Sequence, residues 1–536
     1  MKKLTRILAF VFAFIMLASV PASAASAYQT YTYSISGQPL YSPDAYTAKE
    51  SYTSEHMGLE VPLSNPGDLE IDDDGKVYIA DTGNSRVIVL DPYYKLDFII
   101  DTFINNHGIE DSFNEPAGLF VTEDTIWVCD TENGRIVTFD KQGNFKKVIG
   151  EPKGALVDET SIYKPIAVAV DAYGCLYVIG SQTVEGIIVM TDEGVFKGFF
   201  GAQAVSLSAW DIIWRKFKTE EQLENSEQNV SKPYNNITIN DDGFVYVTID
   251  GIDEASVMSA IYGKSTDGKF APVKLINAAG DEIMRRNGFW PPSGEVDFAT
   301  GRTDTVTGVS TIVDVAVGPE KTWSIIDAKR SKVYTYDFDG NLLFAFGDLA
   351  DTSNVLGCIK YACAITYHGT DMIILDSGNN CVVRYERTEY GDLLAAAIAC
   401  QNNYEFDAAI EYWQQVIKYN QNFDAAYVGI GKALARIGEY KQSLEYFKKA
   451  YDTTNYSSSF QEVRAEWMSK FFILFLIIIA VLIFAVSKFF GIIGKINKKA
   501  TLKKTKRTFI DELCYGFYIM VHPFDGFWDL KHEKRG

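Results

Sequence analysis

Apolar and polar positions alternate with a period of two over most of the chain. The segment PGDLEIDDDGKVYIADTGNSRVIVLD begins at Pro66, and a similar segment begins 50 residues later at Pro116. Four further copies begin at Pro165, Tyr234, Ile312 and Tyr361. Short alternating runs that are separated by Asp-Gly or Gly-Asn turns predict antiparallel strands. Each copy therefore predicts one sheet of four short strands.

Six copies predict a mainly β fold, a six-bladed β-propeller over residues 28–390. One such sheet cannot bury both of its faces, whereas radial stacking of the sheets buries them. The sixth copy ends at Glu386, so it lacks an outer strand. The N-terminal stretch TYTYSISGQPLYSPD is similar to VYTYDFDGNLLFAFG in the fifth copy. We therefore expect residues from Tyr31 to Tyr46 to supply the missing strand.

The copies carry a D-x-x-N-x-R pattern that resembles the NHL repeat family. It is formed by Asp81, Asn84 and Arg86, by Asp130, Asn133 and Arg135, and by Asp376 and Asn379 with Cys381 in place of the arginine. The resemblance implies a propeller blade for each copy. An aspartate at a tight corner accepts backbone N–H groups, and the arginine can reach its carboxylate, which favours a structural role. Direct ligand contact is the alternative.

Two interruptions break the spacing of the copies, residues 202–232 and residues 251–308. They contain large aromatic and arginine side chains, of which Trp210, Trp214, Arg215, Arg285, Arg286 and Trp290 are candidate ligand-binding residues. Aromatic faces beside charged groups suit sugar rings or flat ligands. The alternative is that these side chains only pack the insertions onto the propeller.

After the propeller, the apolar period changes from two to about 3.6. Over residues 391–455 two helical segments align at an offset of 34, with Trp413 over Phe447. This resembles tetratricopeptide repeats, which implies paired helices that pack on the propeller or on a partner. A peptide-binding groove is the less favoured interpretation. Residues 456–470 are expected to form a helical linker.

Two hydrophobic segments lie near the two ends of the chain. Residues 1–27 have the charged, apolar and small-residue order of a signal peptide, with a membrane anchor as the alternative. Residues 471–494 are long and apolar enough to cross a bilayer. Lysines follow this segment in the tail, residues 495–536. Because cationic flanks stay in the cytoplasm, we expect a single-pass protein of the bacterial cytoplasmic membrane with its propeller outside.

The tail also carries the string HPFDGFWDLK from His522, which resembles the start of the Yip family of multi-pass membrane proteins. Chains that combine such a propeller with such a tail resemble accessory proteins of bacterial carbohydrate uptake systems. The resemblance implies a protein partner, such as a multi-pass membrane protein or transporter subunit, and a possible carbohydrate ligand. An aromatic anchor in the headgroup zone, without a partner, is the alternative.

Charge and cysteine content narrow the function. The net charge of −20 argues against nucleic-acid binding, and the seven cysteines show no metal-ligand spacing, so most of them are expected to be buried free thiols. We predict no catalytic residue, no cofactor and no metal, although calcium stays possible. The sequence therefore favours a membrane-anchored recognition or scaffold protein over an enzyme. The alternatives are a gluconolactonase-like, metal-dependent hydrolase and a cell-envelope assembly scaffold.

Overall fold

A computed structural model describes residues 28–152, 163–183, 185–201, 233–298, 306–347, 355–502 and 507–532. The predicted signal peptide and the insertion at residues 202–232 lie outside the described residues, as do Trp210, Trp214 and Arg215. The predictions made for them stay predictions.

The first half of the chain forms three N-terminal strands and three blades. The N-terminal strands are β1 (Tyr31–Tyr33), β2 (Pro39–Tyr41) and β3 (Tyr46–Thr53), followed by helix α1 (Ser54–Met57). Blade one consists of β4 (Asp68–Ile71), β5 (Val77–Asp81), β6 (Arg86–Leu90) and β7 (Leu96–Ile100). After the hairpin β8 (Thr102–Ile104) and β9 (Glu110–Ser112), blade two consists of β10 (Pro116–Val121), β11 (Ile126–Asp130), β12 (Arg135–Phe139) and β13 (Phe145–Ile149). Blade three consists of β14 (Pro165–Val170), β15 (Leu176–Gly180), β16 (Ile187–Met190) and β17 (Phe196–Phe200).

Three further blades complete the propeller. Blade four is described with β18 (Tyr234–Ile239), β19 (Val245–Ile249) and β20 (Val273–Ile276), and helix α2 (Glu254–Tyr262) lies between the last two strands. Blade five consists of β21 (Ile312–Val317), β22 (Trp323–Asp327), β23 (Lys332–Tyr336) and β24 (Leu342–Phe346). Blade six contains β25 (Ala362–His368), β26 (Asp371–Asp376) and β27 (Cys381–Arg387). Part of the segment 251–308, which the sequence marks as an insertion, therefore belongs to blade four as its third strand.

Strand alternation explains how one blade is buried on both faces. On one face of blade one, Ile79 and Ile88 pack against blade six. On the other face, Tyr78 and Val87 pack against blade two. Successive side chains of a strand point to opposite faces of its blade. Because neighbouring blades cover both faces, the inner strands of a blade are apolar at successive positions. The six-bladed propeller predicted from the repeats is confirmed.

The N-terminal strands close the propeller, but not with the predicted residues. Strand β3 pairs with β27 and is the outer strand of blade six. Strands β1 and β2 instead form a hairpin that extends blade five, with β1 beside β24. The expected closure by the N-terminal segment is thus present, whereas its placement at residues 31–46 was wrong. The turn glycines Gly37 and Gly340 have φ of 81° and 85°, so the two similar stretches do form the same kind of hairpin.

Four helices follow the propeller. They are α3 (Glu389–Asn402), α4 (Phe406–Tyr419), α5 (Asp424–Arg436) and α6 (Tyr440–Lys449). Buried residues of α3, α4 and α5 share one apolar cluster with blades five and six. Asn402 donates its side-chain amide to the carbonyl of Glu320, and Lys432 pairs with Asp339 at 3.1 Å. The first three of these helices are therefore docked on the propeller.

The C-terminal helices are α7 (Thr453–Leu502), α8 (Phe509–Val521) and α9 (Pro523–His532). Among the described residues, α7 is the one helix that is long and apolar enough to cross a membrane. The side chains of its apolar part are exposed, for example Ile473 at 72% and Ile483 at 65%. A helix that exposes so many apolar side chains in water is unfavourable, so this surface is expected to be covered.

Candidate functional site in the central channel

The motif aspartates close corners inside their own blades. Asp81 is fully buried, and its carboxylate accepts the backbone N–H of Ser64 at 2.7 Å and the Nε–H of Arg86 at 2.7 Å. Asp130 makes the corresponding two contacts in blade two, also at 2.7 Å. In blade six, Asp376 keeps the backbone contacts. The motif asparagines donate to the same carboxylates, Asn84 to Asp81 at 2.8 Å, Asn133 to Asp130 at 2.9 Å and Asn379 to Asp376 at 2.7 Å.

Polar side chains on the innermost strands link neighbouring blades around the channel. Asp68 Oδ2 accepts the backbone N–H of Leu119 in blade two at 2.7 Å, and Asp314 Oδ2 accepts that of Ile365 in blade six at 2.6 Å. Asn236 Nδ2 in blade four donates to Asp314 Oδ1 at 2.7 Å. Innermost strands have an unpaired edge, whose buried N–H groups need acceptors. These side chains therefore satisfy the inner edges of the blades.

The same residues line a cavity of 670 Å³ along the channel, together with Glu70. Burial raises the pKa of Asp68 to about 6. Burial, and then the charge of Asp68, raise the pKa of Glu70 to about 8 and that of Asp314 well above its usual range. At neutral pH, Glu70 therefore carries a proton and its carboxyl group can donate a hydrogen bond, whereas both oxygens of Asp314 accept N–H groups.

The mouth of the channel is acidic. Asp241, Asp242 and Glu320 line it, and Lys321 is the one cationic residue among the described residues of the lining. Its Nζ lies 3.9 Å from Asp242. A site with this excess of carboxyl groups disfavours anions. It suits a cation, or a neutral ligand with many hydroxyl groups that exchange hydrogen bonds with the carboxyl group of Glu70.

Arg285, Arg286 and Trp290 are engaged in contacts within the protein. Arg286 is 6% exposed and its guanidinium bonds to Glu282 at 2.9 Å. Arg285 pairs with Asp339 at 2.9 Å. The indole N–H of Trp290 donates to a backbone carbonyl of the N-terminal hairpin at 2.8 Å. None of the three lines the channel cavity, and their contact with a ligand stays a prediction.

Sequence reasoning missed a buried cluster around Glu295. This side chain is 6% exposed and accepts the hydroxyl groups of Tyr31 at 3.4 Å, of Tyr334 at 3.3 Å and of Tyr33. Arg330 lies 3.9 Å from the same carboxylate. The cluster fixes strand β1 to blade five. The repeated tyrosines of the YTY string were the available signal, because buried tyrosines usually find a hydrogen-bond partner.

The described residues include no group of three or more His, Cys, Asp or Glu side chains that could hold a metal ion. All seven cysteines are free thiols, as expected, but the prediction that most are buried was wrong, because only Cys129 and Cys381 are buried and the other five are half-buried. Burial raises the pKa of the Cys363 thiol to about 12. This thiol is therefore not poised as a nucleophile at neutral pH.

Comparisons with known proteins give a local family match and distant structural likenesses. The NHL repeat family model matches residues 63–90. No curated protein matches the chain. Similar solved structures include a streptogramin B lyase, at 12% identity and a TM-score of 0.36 over 65% of this chain and 100% of that chain. A virginiamycin B lyase from Staphylococcus aureus has 13% identity and a TM-score of 0.34, covering 64% and 89%. The calcium-binding protein regucalcin from Agrobacterium tumefaciens has 10% identity and a TM-score of 0.35, covering 61% and 92%. Likenesses this low carry no argument about ligand or activity.

Proposed function

We propose that the chain is a membrane-anchored recognition subunit, with the propeller outside the cytoplasmic membrane and the C-terminal tail inside the cell. The observation that carries this proposal is α7, a helix of 50 residues whose apolar part is exposed. Such a helix is ~75 Å long, more than twice the ~30 Å of a bilayer core. It can cross the membrane and still extend beyond it.

The orientation follows from the charges next to the apolar part. Lys495, Lys498 and Lys499 follow it and are exposed, whereas acidic and basic residues alternate before it. Positive flanks are retained in the cytoplasm. The signal-like order of residues 1–27 supports the same orientation, since it would export the propeller.

The ligand class follows from the channel. Protonated Glu70 offers a donor as well as an acceptor, which favours a neutral, hydroxyl-rich ligand such as a carbohydrate. This agrees with the resemblance of the tail to the Yip family and of the whole chain to accessory proteins of carbohydrate uptake. Helices α4 and α6 begin 34 residues apart, at Phe406 and Tyr440, which supports tetratricopeptide-like repeats that hold a protein partner near the membrane.

Orientation is tested by adding protease to intact spheroplasts that make the full chain with a C-terminal epitope. The proposal expects loss of the propeller and survival of a membrane-bound fragment that carries the epitope. Digestion of the epitope without membrane permeabilisation would reverse the orientation. Complete release of the chain by a carbonate wash would refute the anchor.

Recognition is tested by titrating neutral sugars into the purified full chain and into Asp314→Leu, with tryptophan fluorescence as the readout. Specific binding that is weakened by the substitution supports a channel site. Loss of folding in the variant is detected by circular dichroism, and Glu70→Leu, which removes the donor and the acceptor of that side chain, then replaces it. Sugar binding that neither substitution changes would place the ligand elsewhere.

A lactone hydrolase is the second candidate, because Asp68, Asn236 and Asp314 bring three oxygen-bearing side chains to the channel. Oxygen ligands are those that calcium prefers. However, both carboxylates already accept N–H groups of the inner strands, and we derive no catalytic step from them. A stoichiometric metal in the purified protein, together with lactone turnover, would favour this candidate.

A further inference from the structure

Helix α8 carries an exposed apolar stripe along one side. The exposed residues are Phe509 at 81%, Ile510 at 62%, Leu513 at 53%, Phe517 at 37%, Met520 at 76% and Val521 at 50%. Their spacing follows the period of an α-helix, so they form one continuous surface. We call these six residues the apolar stripe. A surface of this kind is rarely left in water.

Helix α8 is packed against the end of α7, and Phe517, the least exposed residue of the apolar stripe, takes part in this contact. Tyr515 of α8 is 1% exposed, and Ile493 and Asn497 of α7 are 2% and 5% exposed. Asn497 Nδ2 donates to the carbonyl of Cys514 at 3.3 Å. The position of α8 relative to α7 is therefore fixed by a buried interface.

Two contacts show where α8 lies along the axis of α7. One contact joins Cys514 to Asn497, and the next joins the rings of Phe517 and Phe489, whose centroids are 5.6 Å apart. From Asn497 to Phe489, α7 rises by ~12 Å towards its apolar part. Helix α8 thus runs back along α7, and its C-terminal half lies beside apolar turns of that helix.

The polar residues of α8 lie at its N-terminal end, away from the apolar part of α7. Thr508 and Asp511 cap the first turn, and Arg507 lies 3.9 Å from Glu512. Phe524, at 90% exposure, shows that apolar exposure continues on α9. The hydroxyl of Tyr515 ties α9 to α8 by donating to the carbonyl of Gly526 at 3.1 Å.

We propose that α8 and α9 are embedded in the cytoplasmic boundary of the bilayer, with the apolar stripe facing lipid acyl chains. The inference rests on the proposed anchoring of α7. The stripe continues the exposed apolar surface of α7 at the same depth, and aromatic side chains favour this boundary. The exposed lysines Lys495, Lys498 and Lys499 lie on the neighbouring turns of α7 and complement anionic headgroups. Lipid therefore covers the stripe, rather than a second protein.

The test places the photoreactive amino acid benzoylphenylalanine in the full-length chain at one position at a time. The first position replaces Met520, in the apolar stripe. The second replaces Ile483, in the apolar part of α7, and reports on anchoring itself. The third replaces Lys531, an exposed polar position of α9, as the matched control. Membranes are irradiated, and the purified chains are analysed by mass spectrometry for lipid and protein adducts.

We expect lipid adducts at Met520 at a yield similar to that at Ile483 and several-fold above that at Lys531. Lipid adducts at Ile483 without any at Met520 would overturn the inference and leave the anchor intact. A protein adduct at Met520 would overturn it in favour of a partner. Equal yields at Met520 and Lys531 would contradict the assignment of one lipid-facing side. Absence of lipid at Ile483 would remove the proposed anchor and the inference with it.

Discussion

Replacing Glu70 by glutamine is expected to make the protein less sensitive to alkaline pH. The folded chain holds the pKa of Glu70 at about 8, whereas its ordinary value is 4.5. Between these values, the folded state keeps a proton that the unfolded chain releases. Stability from this group is therefore complete below pH 4.5 and is lost as the pH rises through 8. Glutamine keeps the shape and the hydrogen-bonding groups but removes this titration.

The size of the effect follows from the shift. The difference between about 8 and 4.5 corresponds to roughly 5 kcal/mol when the shift acts in full. Glu70 faces a cavity of 670 Å³ that admits water, which screens the charge. Because the effective dielectric constant around Glu70 is well above that of a dry interior, we expect this group to change the free energy of unfolding by about 2 to 3 kcal/mol. At about 2 °C per kcal/mol for a large domain, the Tm changes by roughly 4 to 6 °C.

The assay is thermal unfolding of the full-length protein in detergent from pH 5 to pH 9, followed by near-ultraviolet circular dichroism. Glu70→Gln should match the parent protein at pH 5 and exceed its Tm at pH 9. The control is Glu123→Gln, which changes an exposed glutamate of blade two. Curves of Glu70→Gln and the parent that stay parallel over the whole range would refute the reasoning.

Four further substitutions test individual contacts by chemical denaturation. Asp81→Asn should lower the free energy of unfolding by about 3 kcal/mol, because it leaves a buried arginine without its carboxylate. Asp376→Asn should lower it by only about 1 kcal/mol, because no arginine among the described residues pairs with that aspartate. Equal losses in the two variants would contradict this account. Glu295→Leu should cost about 3 kcal/mol, since several buried tyrosine hydroxyls lose their acceptor, and an unchanged midpoint would count against the cluster. Gly429→Val should cost about 2 kcal/mol by overpacking, because an added Cβ would lie 2.6 Å from Trp413 Nε1; full stability would show that the helices can separate.

The repeats predicted the fold because each blade is coded locally. Apolar strands separated by tight turns recur in every copy, and several of these turns contain a glycine such as Gly75, where φ is 81°, so the blade count follows from the period. The closing strand could not be found in this way. Strand β3 is an outer edge strand. Only two residues of its sequence YTAKESYT, Tyr46 and Tyr52, are buried, and the others are half-buried or exposed. An edge strand has only one neighbour to pack against, so its apolar signal is weak.

The candidate site was less predictable because its contacts are remote in sequence. Tyr31 and Glu295 are 264 residues apart, and no local pattern records that pairing. Arg286 has the residue type expected of a ligand contact, but it is buried by its ion pair with Glu282. Glu70 lies in a strand with alternating polar and apolar residues, where a glutamate is usually exposed. It is buried only because the six blades close into a ring around it. Residue type predicts chemistry, whereas burial decides whether that chemistry is available.

The two ends of the propeller meet at one junction with the helices. Thr388 follows β27, donates its N–H to the carbonyl of Ala45 at 3.0 Å and caps α3 by accepting the N–H of Gly391 at 3.1 Å. A Cβ added to Gly391 would lie 2.3 Å from the carbonyl oxygen of Ala45, so α3 and the approach to β3 are in direct contact. Because β3 is the strand that closes blade six, the first helix and the closure of the ring stabilise each other. A soluble fragment for ligand binding should therefore retain α3, since ending the chain at Arg387 would remove the cap and expose the seam on which the propeller closes.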